Sequence, residues 1–357
     1  MSGHNNDVAA GLGQGAAPYF AAPLPGPRVL FVGGTGVISS AAVARAVSLG
    51  FRVTVLNRGA SAARPAPAGV EVLMADVRDP AAVRRVLGGR EFDVVADFVT
   101  FTTEQARTAV DLFSGRCGHY VYISSASAYQ KPPLRLPITE STPLRNPFWQ
   151  YSRDKIACEE LLMAAYRDHG FPVTIVRPSH TYDPTKLPLL GGWTDVHRMR
   201  AGLPVLVHGD GTSLWTLTHS DDFAVGFAGL LGRDQAVGES FTITSDEVLP
   251  WDAVYRTVAA AAGVPDPVLF HVASETIAAH APALGDGLLG DKAHSVIFDN
   301  SKIRTFVPEF RAAIPYREGA RQILAWHIAH PEARVVDQDF MALSDSLAAL
   351  VQPAGMN

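Results

Sequence analysis

Apolar and polar positions follow two alternating patterns from Pro27 onward. Short apolar, β-branched runs at 29–32, 52–56, 70–74, 94–98, 120–124 and 173–176 predict strands. Between them, 40–49, 80–87, 104–113 and 151–168 place apolar residues at helical spacing. Strand and helix in repeated order predict an α/β fold, a parallel sheet doubly wound by helices on both faces. After Arg177-Pro178 the rhythm breaks. Residues 183–213, rich in Pro, Gly, Leu and Trp, read as an excursion from the sheet. Ser220-Asp221-Asp222 predicts the capped start of a helix running to 231. A strand at 241–244 and a helix at 251–262 follow, and 264–340 read as alternating short strands, turns and helices.

This pattern divides the chain. Residues 1–26, rich in Gly, Ala and Pro, read as a flexible arm. Residues 27–180 form the first domain, to which elements near 214–245 return. Residues 181–340 form mainly a smaller C-terminal α/β lobe that binds substrate, and 341–357 a helix and tail. The Ala-rich stretch 340–351 is either a packed helix or a partner surface.

Composition narrows the classes. Of 357 residues, 47% are hydrophobic and 18% charged, enough apolar material for a large core. The net charge of −5, without a basic block, argues against a nucleic-acid partner. No apolar run reaches membrane-spanning length, and the first residues lack the basic start and apolar core of a signal peptide. Two cysteines, Cys117 and Cys158, supply neither a disulfide framework nor metal-ligand spacing, as expected of a cytoplasmic protein without a metal.

The first predicted strand ends in Gly33-Gly34-Thr35-Gly36-Val37-Ile38-Ser39 and leads into a helix. Gly33 and Gly36 permit a tight turn and close approach of a pyrophosphate, and the helix aims its first N–H groups at it. Thr35, Val37 and Ile38 complete this dinucleotide cradle, the mark of a Rossmann-type domain. Ser39 stands where a third glycine is usual. At the end of the second strand an acidic residue would hold the 2′-hydroxyl of NAD. Here Asn57-Arg58 stand instead. Arg58 fits a 2′-phosphate, which favours NADP(H), while Asn57 leaves NAD(H) open. Asp76-Val77, after the third strand, is placed to contact the adenine.

Tyr151-Ser152-Arg153-Asp154-Lys155 puts a phenol and an ammonium one turn apart on one helix face. A phenol titrates near pH ~10, and a neighbouring ammonium together with the positive nicotinamide of a bound cofactor pulls that value down. Ser124-Ser125-Ala126-Ser127-Ala128-Tyr129 brings hydroxyls to the same sheet edge after the fifth strand.

These motifs resemble the extended short-chain dehydrogenase/reductase family of NAD-dependent epimerases and dehydratases, over roughly 27–330. Arg177-Pro178-Ser179, His208-Gly209-Asp210-Gly211 and His219-Ser220-Asp221-Asp222 carry the resemblance further. It implies that Tyr151 is the acid/base, that Lys155 binds the nicotinamide ribose, and that Ser125 orients the reacting oxygen. It also implies that Pro178 and Ser179 lie against the nicotinamide, and that the 104–113 and 151–168 helices build a homodimer.

Departures from the family pattern narrow the reaction. Ala126-Ser127 replace the Asp-Glu pair of the sugar dehydratases, so elimination lacks its acid and base. The Arg that holds a nucleotide diphosphate after the Gly-Asp-Gly turn is missing, and Ser213-Leu214-Trp215-Thr216 stand there. Ser127, His180, Trp193 and Trp215 are therefore the candidate substrate-pocket residues, with His180 able to hydrogen-bond substrate or exchange protons. His219 is expected to cap a helix with Asp221. The resulting expectation is an NAD(P)-dependent oxidoreductase or epimerase acting on a sugar or sugar-like small molecule. The rivals are an NADPH-dependent ketoreductase of a non-sugar metabolite and a non-catalytic binder of NADP or RNA. The resemblance extends to such an RNA-binding branch, which binds chloroplast stem-loops.

Overall fold

The structure, a computed structural model, describes residues 26–59 and 64–351. The expected arm, apart from Gly26, and the tail from 352 lie outside them. In chain order come β1 (Arg28–Val32), α1 (Val37–Ser48), β2 (Arg52–Asn57), β3 (Glu71–Met74), α2 (Pro80–Leu87), β4 (Phe92–Asp97), α3 (Thr103–Phe113), β5 (Cys117–Ile123), α4 (Gln150–His169) and β6 (Val173–Pro178). These agree with the elements expected from the pattern to within a few residues. Next come β7 (His180–Tyr182), α5 (Trp193–Arg200), β8 (Val205–His208), β9 (Leu214–Trp215), β10 (Leu217–His219), α6 (Ser220–Leu230) and β11 (Ser240–Ile243). The last are β12 (Leu249–Pro250), α7 (Trp251–Ala261), β13 (Leu269–Val272), α8 (Ser274–His280), α9 (Pro282–Gly287), α10 (Ser301–Phe306), α11 (Tyr316–Ala329) and α12 (Gln338–Val351).

Seven parallel strands form the main sheet in the order β11-β6-β5-β4-β1-β2-β3. Strand periodicity sorts β1 between two cores. Val29 and Phe31 pack with Ala42 and Val43 of α1 and Phe223 and Phe227 of α6. Leu30 and Val32 pack on the other face with Val83, Leu112 and Leu162 of α2, α3 and α4. Both faces of β1 are covered, and it is apolar and buried from Val29 to Val32. The chain reverses direction across the sheet between β1 and β4, which opens a crevice beyond their carboxyl ends.

The remaining strands pair off as β10–β7, β12–β9 and β13–β8. A third core joins Tyr182, Trp193, Trp215, Trp251, Tyr255 and Tyr316. Of the elements expected to return to the main sheet, β11 does so, whereas β9 and β10 pair within these smaller sheets. The region 264–340 departs from its expected alternation: among the described residues it holds β13 and then helices. The cap of α6 is His219, whose Nδ1 accepts from the Asp221 amide at 3.1 Å. Asp222 caps nothing; its carboxylate accepts from the Ala313 and Ile314 amides instead. Helix α12 is packed, with Phe340 and Leu347 buried and Asp345 2.7 Å from Arg198.

Candidate active site

At the switch point the β1–α1 turn is shaped by exclusion. Gly33 has φ +87°, and a Cβ there would meet Val99 Cγ1 at 2.3 Å. A Cβ on Gly34 would meet both Val55 methyls at 2.8 Å. Ser39 fits where a third glycine is usual because its hydroxyl is buried and accepts from the Gly36 amide at 2.7 Å. The first turn of α1 leaves its amides without intrahelical acceptors, which suits an anion.

A cleft of about 670 Å³ opens above this turn. Of the expected cofactor residues, Gly33, Thr35, Gly36, Val37, Ile38, Asn57, Arg58, Asp76, Val77, Lys155, Pro178 and Ser179 all line it, together with Ser125 and Tyr151. Its size and the turn's geometry fit a dinucleotide. Asn57 Oδ1 accepts from the Gly59 amide at 2.8 Å, and Arg58 is exposed at the rim. Asp76 is gripped by Arg78, which holds its carboxyl down at about 2.

The lysine site is built from a strand end. Asp97, the buried last residue of β4, accepts from the Val99 and Thr100 amides and from the Thr100 and Tyr120 hydroxyls. This holds the following loop so that the Thr100 carbonyl accepts from Lys155 Nζ at 2.7 Å. The Ile123 carbonyl accepts a second bond at 2.8 Å. The ammonium lies 4.4 Å from the centre of the Phe101 ring. Burial pulls its pKa down to about 8. One of its three N–H groups remains for a ligand.

Tyr151 is the next turn of the same helix. The expected lowering of its pKa is reversed here. Burial raises it, the Ser125 side chain opposes that rise, and Asp291 reinforces it. Desolvation disfavours the phenolate more than the surroundings favour it.

Ser127, expected in the substrate pocket, lies outside the cleft. It is buried, 2.9 Å from Ser125 Oγ, and accepts from Ser152 at 2.7 Å. Beneath it, Asn146 donates to the Ser127 and Gly290 carbonyls and accepts from the Trp149 amide. Trp193 is also off the cleft, stacked on His327 with ring centres 5.0 Å apart. Trp215 is buried against Trp251 at 5.3 Å. Its indole donates to His180 Nδ1 at 3.1 Å. His180 therefore carries its proton on Nε2 when neutral. Burial and the charges of Lys292 and Lys186 push its pKa well below the ordinary value, so it does not exchange protons near neutral pH.

Phe98, Val99, Phe101, Gln105 and Arg78 also line the cleft and were not anticipated. The signal for the first two was available: they follow β4, the strand across the switch point from β1. Arg64 and Asp183 pair at 2.6 Å, joining the loop after β2 to the loop after β7. Among the described residues no cluster of three His, Cys, Asp or Glu could hold a metal, and no helix is long and apolar enough to cross a membrane.

The fold and this cleft define a dinucleotide-dependent enzyme of the short-chain dehydrogenase/reductase type. Residues 29–244 match the NAD dependent epimerase/dehydratase family, and the chain belongs to that family. It is similar to 2'-dehydrokanamycin reductase of Streptomyces kanamyceticus, 30% identical over 243 residues covering 67% of each chain. It is 28% identical over 256 residues to the chloroplast stem-loop binding protein of 41 kDa b of Arabidopsis thaliana, covering 68% of this chain and 65% of that one. The chain thus spans about two thirds of the length of these relatives. In fold it is similar to UDP-glucose 4-epimerase from Bifidobacterium longum, solved with NAD+ and UDP: TM-score 0.69, 20% identity, 86% of this chain and 99% of that one.

Proposed function

We propose that the chain interconverts a ketone and a hydroxyl on a sugar-like small molecule with NADP(H), with Tyr151 as the proton donor and acceptor. The observation that carries this reading is the convergence of Ser125, Tyr151 and Lys155 in one cleft with the β1–α1 turn. When bound, the nicotinamide supplies or takes up the hydride. In the reductive direction Tyr151 gives its phenolic proton to the carbonyl oxygen as the carbon gains hydride, leaving an alcohol. Ser125 holds that oxygen. Lys155, fixed by two backbone carbonyls, directs its remaining N–H to the nicotinamide ribose. Pro178 and Ser179 form the wall against the nicotinamide, and Arg58 meets the 2′-phosphate.

A phenol, protonated at neutral pH, has the proton that the reductive direction needs. The similarity to 2'-dehydrokanamycin reductase supports the same direction. Epimerisation shares the first half-reaction and would require the ketone to rotate and be reduced on its other face. The net charge of −5 and the intact trio support chemistry over RNA binding. A homodimer through α3 and α4 belongs to the same proposal, tested by sedimentation.

The deciding experiment pairs NADPH oxidation against a panel of keto-sugars with mass spectrometry of nucleotide released from the purified protein. Tyr151→Phe is expected to lower turnover by ~10²–10⁴ while nucleotide affinity stays unchanged. A variant with undiminished turnover would remove the proposed mechanism.

A further inference from the structure

Four successive backbone amides after β4 are held by two side chains. Asp97 accepts from Val99 and Thr100, and Gln105 Oε1 accepts from Phe101 at 2.7 Å and from Thr102 at 3.2 Å. Gln105 is the third residue of α3, and its own backbone amide donates to the Thr102 hydroxyl at 3.4 Å, closing a capping box. Two N–H groups converging on one atom make that atom the carbonyl oxygen of the side chain. Its other end is therefore the NH2 group, which cannot change places with the oxygen without setting donors against donors. Among the described residues neither N–H of that group has an acceptor.

The amide has a defined place along the cleft. Gln105 lines the cleft and also a small hollow beside it, which it shares with Leu56 from the end of β2 and Val77 from the turn after β3. The proposed chemistry lies at the other end. Lys155 is anchored to the Ile123 carbonyl at the end of β5, and Pro178 and Ser179 stand at the end of β6. In the sheet order β6-β5-β4-β1-β2-β3 the β1–α1 turn falls between the two ends. A dinucleotide with its pyrophosphate on that turn and its nicotinamide beside Tyr151 carries its adenine toward β2 and β3. Asp76, a polar side chain at that end, has both carboxylate oxygens bonded to Arg78. Gln105 brings two fixed donors and, with its oxygen occupied, nothing to accept with. Such a group recognises an acceptor between apolar edges, as a purine ring nitrogen is when its base lies against Leu56 and Val77.

We propose that Gln105 Nε2 donates to a ring nitrogen of the cofactor's adenine, so that one side chain both caps α3 and reads the base. This rests on the proposed function in requiring that the cleft hold a nicotinamide dinucleotide.

Calorimetric titration of the purified protein tests the contact without turnover. The probes are NADPH, NADH, AMP, ribose 5-phosphate and reduced nicotinamide mononucleotide. AMP and ribose 5-phosphate differ only in the base, and the mononucleotide reports the other half of the cleft. Gln105→Glu keeps an oxygen for the Phe101 and Thr102 amides and replaces the NH2 group. Gln105→Met removes both without adding charge. Both variants are expected to weaken NADPH and AMP about five- to tenfold, leaving ribose 5-phosphate and the mononucleotide as they are in the wild type. A loss with Gln105→Glu alone is charge repulsion and overturns the contact. An equal loss for the mononucleotide means that the loop has shifted, a structural role, and also overturns it, as does AMP binding that neither variant changes. Wild-type protein that binds neither NADPH nor NADH overturns the proposed function instead, and that result is seen before any variant is made.

Discussion

The hydroxyl of Ser127 stands 2.9 Å from that of Ser125, and a third hydroxyl, Ser152, donates to Ser127 at 2.7 Å. Only Ser125 lines the cleft; the other two orient it from behind. Removing a donor that touches the reacting oxygen costs ~10²–10³ in turnover. Ser125→Ala is expected to fall in that range. Ser127→Ala, which acts through Ser125, is expected to lose about tenfold in kcat with KM nearly constant. Steady-state kinetics of the two variants separates these roles, and equal losses would mean that Ser127 touches substrate.

The lysine predicts two opposite pH effects. Its folded pKa of about 8 lies below the ordinary 10.5. The ammonium proposed to direct an N–H to the ribose is present below pH 8 and is lost as pH rises through it. Turnover per unit of substrate at low substrate is therefore expected to decline above pH 8. Stability moves the other way. Between pH 8 and 10.5 the unfolded lysine holds a proton that the folded one has released, so the folded state gains as pH rises through that window. Urea melts of wild type and Lys155→Met at pH 7 and pH 10 check the sign: the wild type gains relative to the variant.

Arg58 lies exposed at the rim of the cleft, just after the end of β2. Arg58→Ala is expected to weaken NADPH at least tenfold while NADH changes little, since charge-assisted contacts to a phosphate are strong. Fluorescence titration with each nucleotide measures the ratio. Equal weakening of both would assign Arg58 to the pyrophosphate rather than to the 2′-phosphate.

Beneath the serines lies a buried ion pair. Glu159 accepts from Ser124 Oγ at 2.5 Å and from Arg177 at 2.5 and 2.9 Å, and Arg177 also donates to the Tyr129 hydroxyl at 3.1 Å. Removing one partner strands a buried charge, at about 3–5 kcal/mol. Arg177→Met is expected to show a loss of that size in chemical denaturation. A loss under 1 kcal/mol would mean that water replaces the guanidinium.

What was legible in the chain is what neighbours along it decide. The β1–α1 turn is a run of seven residues, and Tyr151 and Lys155 share a helix face by spacing alone, so both were readable. The surroundings of Trp193, Trp215 and Ser127 were not legible, because they come from other segments: His327, Trp251 and Asn146 pack against them. The rise of the Tyr151 pKa by burial is hidden in the sequence for the same reason. A neighbouring ammonium is visible in sequence, whereas the degree of desolvation is a property of the assembled cleft. In 264–340 the helices α8, α9 and α10 are of six or seven residues, too few turns to display a period, which hides them in the sequence.

Arg64 and Asp183 fasten the loop after β2 to the loop after β7, and Asp183 is nearly dry while it grips the guanidinium. Parting the two loops means pulling opposite charges apart where little water can compensate them. Segments far apart in the chain are therefore tied by one clasp, and loosening it would free both at once.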